Sequence, residues 1–274
     1  MNQIPDIRPG QSIELLKELH ILTRDGKLNQ DSRRKLKQVY HLYNFIEPLL
    51  KELSSNSESN FSIVDHGAGK SYLGFILYDL FLKQLGRGEV FGIETREELV
   101  QKSKDLAARL KFNRMNFLNL SVEESTSSKD LPEKVDLVTA LHACDTATDD
   151  AIKFALEKKA RFVVLVPCCQ AEVASVLRKN KGHNLSRSVL TEIYRHPIHT
   201  REFGSQITNV LRCLELESQG YQVTVTELIG WEHSMKNELI IAQFKDLPKN
   251  HPRQRLEKLL EELNLTEMKF RFLN

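Results

Sequence analysis

The stretch FSIVDHGAGKSYLGF, Phe61 to Phe75, decides the fold. Four residues suited to a buried strand run into Asp65 and two glycines spaced G-x-G, and an apolar pattern of helical spacing follows, Leu73, Ile76, Leu77, Leu80 and Phe81. Glycines there let the chain turn sharply and bring bare backbone, with the N–H groups of the next helix, close to a ligand. The third glycine of the dinucleotide pattern G-x-G-x-x-G would fall at Tyr72, which is large, and GAGKS lacks the first glycine of a phosphate-binding loop. Pyrophosphate is therefore a poor ligand for this turn.

Downstream, short runs rich in Val, Ile, Leu and Phe recur: EVFGI (89–93), MNFLNL (115–120), VDLVTAL (135–141) and RFVVLV (161–166). Helical patterns separate them, so the five runs predict an α/β fold with a parallel sheet covered on both faces. YQVTVTELIG (221–230) and ELIIAQF (238–244) break the alternation and read as an antiparallel pair, which brings the sheet to seven strands, mostly parallel, with an antiparallel end.

Upstream, residues 1–60 lack strand character. Asp31 to Leu53 carries Leu36, Val39, Tyr40, Tyr43, Ile46, Leu49 and Leu50 at helical spacing, with Asp31 or Ser32 as N-cap and Pro48 as a kink or break. The polar run 54–60 reads as a connector, and residues 251–263 as a further amphipathic helix. The predicted organisation is an N-terminal helical extension (1–60), an α/β domain (61–250) and a C-terminal helical segment (251–274).

A chain of 274 residues with 41% hydrophobic and 28% charged residues has the composition of a globular protein. It has no window of 18 apolar residues and its start lacks a basic then apolar leader pattern, so a cytoplasmic location without membrane spanning is expected. The four cysteines form no C-x-x-C, which points to reduced thiols rather than a zinc or redox site, and no metal is expected. A net charge of +2 announces no nucleic-acid partner by itself, although basic clusters stand at 33–37, 178–183, 195–201 and 251–255.

In an open parallel sheet the ligand crevice lies outside the carboxyl ends of the strands. Those ends carry Asp65, Gly67 and Gly69 after the first run; Glu94, suited to a ribose diol or else to solvent or a helix cap, after the second; and Ser121 with the Val122 amide, suited to an adenine edge or else a surface loop, after the third. Leu141, His142, Cys144 and Asp145 follow the fourth, and Cys168 and Cys169 the fifth.

These pieces in this order resemble class I S-adenosylmethionine-dependent methyltransferases over residues 61–244. More narrowly, DHGAGKSYLG with LHACDTATDDAI and VPCCQ resembles the methyltransferase domain of the methyltransferase-like 25 family, and of the tRNA 2′-O-methyltransferase family with a CHHRC zinc finger, a finger missing here. The resemblance implies a Rossmann-like methyltransferase sheet and S-adenosylmethionine as cofactor. It implies Asp65, Gly67 and Gly69 around the methionine part, Glu94 on the ribose hydroxyls, Ser121 and Val122 at the adenine, His142 facing the sulfonium, and Leu141 among the cofactor-binding residues. Ser71 stands where the family's third glycine is usual, and LHACD is not the amino-methylating [DNS]-P-P-[YF] motif.

A base for the acceptor proton is available in His142 or Asp145, which alternatively pack beneath the cofactor and cap a helix. Cys168 and Cys169 stand on the substrate side as nucleophile, metal ligand or packing. The acceptor expected is RNA, with protein or a small molecule as alternatives; a non-catalytic scaffold and a nicotinamide-dependent oxidoreductase are the competing classes. Oligomeric state is left open.

Overall fold

β1 (Ser62–His66) lies at the centre of a seven-stranded sheet in the computed structural model, which describes residues 6–55, 60–141, 145–167, 170–180, 189–228 and 238–273. The order is β3-β2-β1-β4-β5-β7-β6, with β2 Glu89–Glu94, β3 Met115–Asn119, β4 Leu137–Leu141, β5 Phe162–Val166, β6 Tyr221–Glu227 and β7 Glu238–Phe244. The first five strands pair in parallel, and β7 runs antiparallel to both β5 and β6. This is the Rossmann-like sheet with an antiparallel end that the apolar runs predict. Strand order reverses between β1 and β4, which is where such sheets bind ligands. β1 continues two residues past its apolar run, through Asp65 and His66, because both side chains are accommodated inside the protein.

Eleven α-helical segments are labelled along the described chain: α1 (Ile13–Glu18), α2 (Gln30–Ser54), α3 (Tyr72–Leu77), α4 (Lys83–Leu85), α5 (Glu97–Leu110), α6 (Val122–Ser127), α7 (Thr146–Glu157), α8 (Glu172–Lys179), α9 (Pro197–Ser218), α10 (Asn250–Glu262) and α11 (Lys269–Phe272). A π turn, Tyr78–Leu82, joins α3 to α4. α2 differs from expectation in two ways. Its cap is Asn29, whose side chain accepts the Ser32 amide at 2.8 Å, and it does not break at Pro48. The backbone bond that Pro48 cannot make is outweighed by Ile46, Leu50 and Leu53, which are buried on either side of it. α9 is a 22-residue helix; Pro197 occupies its first turn, a position that needs no N–H donor.

The sheet separates two cores. On one face, Leu15 and Leu16 of α1, Leu36, Tyr43, Ile46 and Leu50 of α2 and Phe75 and Leu77 of α3 pack over Ile63, Val90, Leu137 and Val164. On the other, Ala151, Ile152, Phe154 and Ala155 of α7 pack over Val64, Val138, Val163 and Ile240. Strands covered on both faces are apolar throughout, which is why their sequence runs do not alternate. The N-terminal helices thus share the core of the sheet. Asp79 in the π turn fastens them by accepting the Ser12 amide at 2.8 Å. α8 to α11 form a satellite core around Leu177, Leu211, Leu256 and Leu260. Among the described residues no helix is long and apolar enough to cross a membrane.

Candidate active site at the first crossover

Parallel register fixes the environment of Asp65. It sits level with Gly92 on β2 and Thr139 on β4, so the three share one row on one face of the sheet. Thr139 Oγ1 donates to Asp65 Oδ1 at 3.0 Å, and Ser71 Oγ and the Gly74 amide donate to Oδ2 at 3.1 and 3.4 Å. The carboxyl is 2% exposed, and burial pushes its pKa up from 3.8 to about 6 against these hydrogen bonds. His66, the next residue, points the other way. Its ring lies 5.3 Å from that of Phe154, both ring nitrogens lack a hydrogen-bond partner among the described residues, and burial lowers its pKa from 6.5 to about 4. It is neutral at physiological pH.

The turn that follows enters the left-handed region, which favours glycine, three times, at Gly67 (φ 64°), Gly69 (φ 57°) and Ser71 (φ 48°). A Cβ on Gly69 would meet nothing nearer than the Arg96 guanidinium at 3.9 Å, so it would project into open space. The Gly69 amide donates to Glu94 Oε2 at 2.8 Å. Glu94 ends β2, is 8% exposed, and receives the Arg96 amide and Nε on Oε1, each at 3.0 Å. Burial opposes ionisation of Glu94, but the Arg96 side chain and the Arg96 and Gly69 amides outweigh it and hold the carboxyl below its ordinary value.

A cleft of about 600 Å³ opens here, within the size range of small-molecule sites. The glycine turn from Gly67 to Lys70, Asp65, Arg96, Leu141 and Val166 line its sheet side, at the carboxyl ends of β1, β2, β4 and β5. Leu19 and, on α2, Lys35, Gln38, Val39 and Leu42 line the opposite side. Bare backbone, a carboxylate one hydrogen bond behind it and a largely apolar wall suit an adenosyl ligand with a polar tail.

The structure therefore brings Asp65, Gly67, Gly69 and Leu141 onto one cleft, with Glu94 directly behind Gly69. Ser121 and Val122 stand apart from its lining. Ser121 caps α6: its Oγ accepts the Glu124 amide at 3.3 Å and its own amide donates to Glu124 at 2.8 Å. Asp145 precedes α7 but does not cap it; its Oδ1 accepts the Ala171 and Glu172 amides at 3.1 and 3.4 Å, at the start of α8. His142, Cys144, Cys168 and Cys169 lie outside the described residues. Among the described residues no group of three His, Cys, Asp or Glu is placed to hold a metal ion.

Sequence reasoning missed Arg96 and the α2 wall. Arg96 follows Glu94 by two residues and reads as an ordinary helix-start cation. Lys35 and Gln38 interleave with the apolar stripe of α2, and only tertiary packing shows that this edge of the helix faces the cleft.

Comparison with known proteins places these features in a family. A family model described as "Methyltransferase domain" matches residues 34–176, more than half of the chain. A "Glutathione S-transferase C-terminal domain-containing protein" of Xenopus laevis is 24% identical over 235 residues, 80% of this chain and 36% of that protein; its Homo sapiens counterpart is 25% identical over 236 residues, 80% and 35%. The chain spans about a third of the length of the curated relatives it matches. Among solved structures, the N-terminal domain of human METTL16 in complex with SAH has a TM-score of 0.48 at 12% identity, covering 84% of this chain and 78% of that one. Magnesium protoporphyrin IX methyltransferase (ChlM) from Synechocystis PCC 6803 with bound SAH has a TM-score of 0.45 at 14% identity, covering 85% and 93%. By the family match over more than half of its length, the chain belongs to the methyltransferase domain family.

Proposed function

We propose that this chain transfers the methyl group of S-adenosylmethionine to RNA. The observation that carries the reading is the basic rim of the cleft: Lys35, paired with Asp31, Arg96, paired with Glu94, and Lys70 line it, while among the described residues its only lining carboxylate, Asp65, is sunk and engaged inside the protein. A phosphate backbone can exchange such half-exposed ion pairs for contacts with its own charges, and Lys70 on the glycine turn adds a further cation beside them. The likeness of LHACDTATDDAI and VPCCQ to the tRNA 2′-O-methylating family supports the same acceptor.

When bound, S-adenosylmethionine supplies a methyl group already activated on a sulfonium, so the protein has only to hold the acceptor in line and take its proton. In this reading Gly67 and Gly69 border the methionine part and Glu94 holds the ribose. Of the two base candidates, His142 is favoured, because one oxygen of Asp145 is already engaged in holding α8. The test is incubation of the protein and methyl-labelled cofactor with total RNA, and separately total protein, from cells lacking it. Label in RNA is the expected result; label in protein alone, or in neither fraction, refutes the assignment.

A further inference from the structure

The loops that follow β4 and β5 are tied together from behind by one buried node. Arg212 on α9 is 0% exposed. Its guanidinium donates in three directions: to Asp149 Oδ1 on α7 at 2.6 Å, to Asn209 Oδ1 at 3.1 Å, and to the backbone carbonyl of Asp145 at 2.7 Å. Asp145 has φ 50° and ψ −120°, a conformation nearly reserved for glycine. A non-glycine residue persists there only where its surroundings over-determine it, and here both ends of the residue are held: the carbonyl by Arg212, the side chain by the Ala171 and Glu172 amides.

Asn209 extends the tie to the other loop. Its Oδ1 also accepts Gln170 Nε2 at 3.0 Å, and Ser205 Oγ donates to Gln170 Oε1 at 2.7 Å. Its amide nitrogen donates to Glu238 at the start of β7, at 2.7 Å. Three of the residues that make these contacts, Gln170, Asn209 and Arg212, are each no more than 4% exposed. A buried guanidinium held by three acceptors has one geometry, because losing any of them leaves a charge or a polar group unpaired.

We infer that Arg212 and Asn209 are positioning residues for methyl transfer: they set the relative placement of Asp145 and Gln170, each of which follows a cleft-lining strand end, Leu141 and Val166, by four residues. The catalytic consequence rests on the methyltransferase assignment; the tie itself does not. Two variants of the full chain test it. Gln170→Ala removes the Asn209 and Ser205 contacts to Gln170 and leaves the Arg212–Asp149 ion pair and the Asp145 contacts to the Ala171 and Glu172 amides in place. Arg212→Lys keeps one positive charge that cannot reach three acceptors.

Amide hydrogen exchange of the segments 145–150 and 170–176 is expected to quicken at least tenfold in both variants, while β1 to β3 exchange as in the unaltered chain. S-adenosylhomocysteine affinity is expected within threefold of the unaltered chain, and kcat is expected to fall tenfold or more at unchanged KM for S-adenosylmethionine. A purely structural role predicts faster exchange across the whole sheet in proportion to lost stability, and that result overturns the inference, as does unchanged exchange in folded Gln170→Ala. If Arg212→Lys fails to fold, Gln170→Ala decides. Failure of the unaltered chain to bind S-adenosylhomocysteine would count against the methyltransferase assignment alone, since the exchange measurement needs no ligand.

Discussion

Replacing Asp65 with Asn isolates one of two opposed titrations at adjacent residues. The pKa of Asp65 rises from 3.8 to about 6 on folding, so between those pH values the folded chain holds a proton that the unfolded chain has lost. Stability from this group is fully present below 3.8 and is lost as pH climbs to about 6, and at 1.36 kcal/mol per pH unit the loss integrates to about 3 kcal/mol. His66 runs the other way. Its pKa falls from 6.5 to about 4, so the unfolded chain takes up a proton first, and its contribution, present above 6.5, is lost as pH falls to about 4, again by about 3 kcal/mol. The two slopes nearly cancel in the unaltered chain. Urea unfolding followed by circular dichroism at pH 4.5, 5.5, 6.5 and 7.5 separates them. Asp65→Asn is expected to lose stability steeply on acidification, and His66→Leu to lose it as pH rises from 4.5 to 6.5. Taking each variant's difference from the unaltered chain removes the other buried carboxyls, Asp79, Asp149 and Glu215, from the comparison. A stability difference between the unaltered chain and Asp65→Asn that is constant with pH, or that widens in favour of the unaltered chain as pH rises, would show that the carboxylate is not disfavoured by burial and would refute the reasoning.

Opposite outcomes are expected from the two ends of the Glu94–Arg96 pair: calorimetry with S-adenosylhomocysteine should show weaker binding for Glu94→Ala and binding strengthened by a few-fold for Arg96→Ala, because Arg96 competes with a ribose for the same carboxylate; weakening by both would mean that Arg96 itself holds the ligand. Ser71→Ala should cost about 2 kcal/mol in urea, since it loses the bond to Asp65 and keeps the left-handed backbone, whereas Ser71→Gly should cost about 1 kcal/mol less because glycine relieves that strain; the reverse order would contradict the geometry. Ile46→Ala, at a fully buried position of α2, should lower stability by about 3 kcal/mol without splitting the unfolding transition, and a separate early transition would mean that the N-terminal helices fold apart from the sheet.

The sheet was legible because its strands are buried on both faces and so read as unbroken apolar runs, from Ile63 and Val64 through Phe162 to Val166. The glycine turn and Glu94 were legible because strand ends in such a sheet have a fixed spatial meaning. What stayed hidden depends on partners distant in sequence. The same two carboxyl oxygens of Asp65 serve a ligand or the interior, and only the register that places Thr139 beside it shows that the interior takes them. Ser121 followed three residues later by Glu124 is a capping box in plain sight, and it competes directly with reading Ser121 as an adenine contact. α9 has no comparable local signature: Arg212 and Asn209 look like ordinary polar positions until Asp145, Asp149 and Gln170 close around them.

The family's missing third glycine is resolved by its neighbours. Ser71 takes up the left-handed conformation that glycine would favour, its side chain is wholly buried, and its hydroxyl is anchored on Asp65. Room for that hydroxyl comes from glycines on two other elements. A Cβ on Gly74 of α3 would stand 2.5 Å from Ser71 Oγ, and one on Gly92 of β2 would stand 3.3 Å from it and 2.7 Å from the Phe117 ring. The close approach of helix to sheet that a glycine in the turn normally permits is thus supplied by Gly74 and Gly92, while the turn gains a hydroxyl that fixes Asp65. Asp65 therefore acts on the cleft through Ser71 and the Gly74 amide, holding the turn in the shape that presents Gly67 and Gly69.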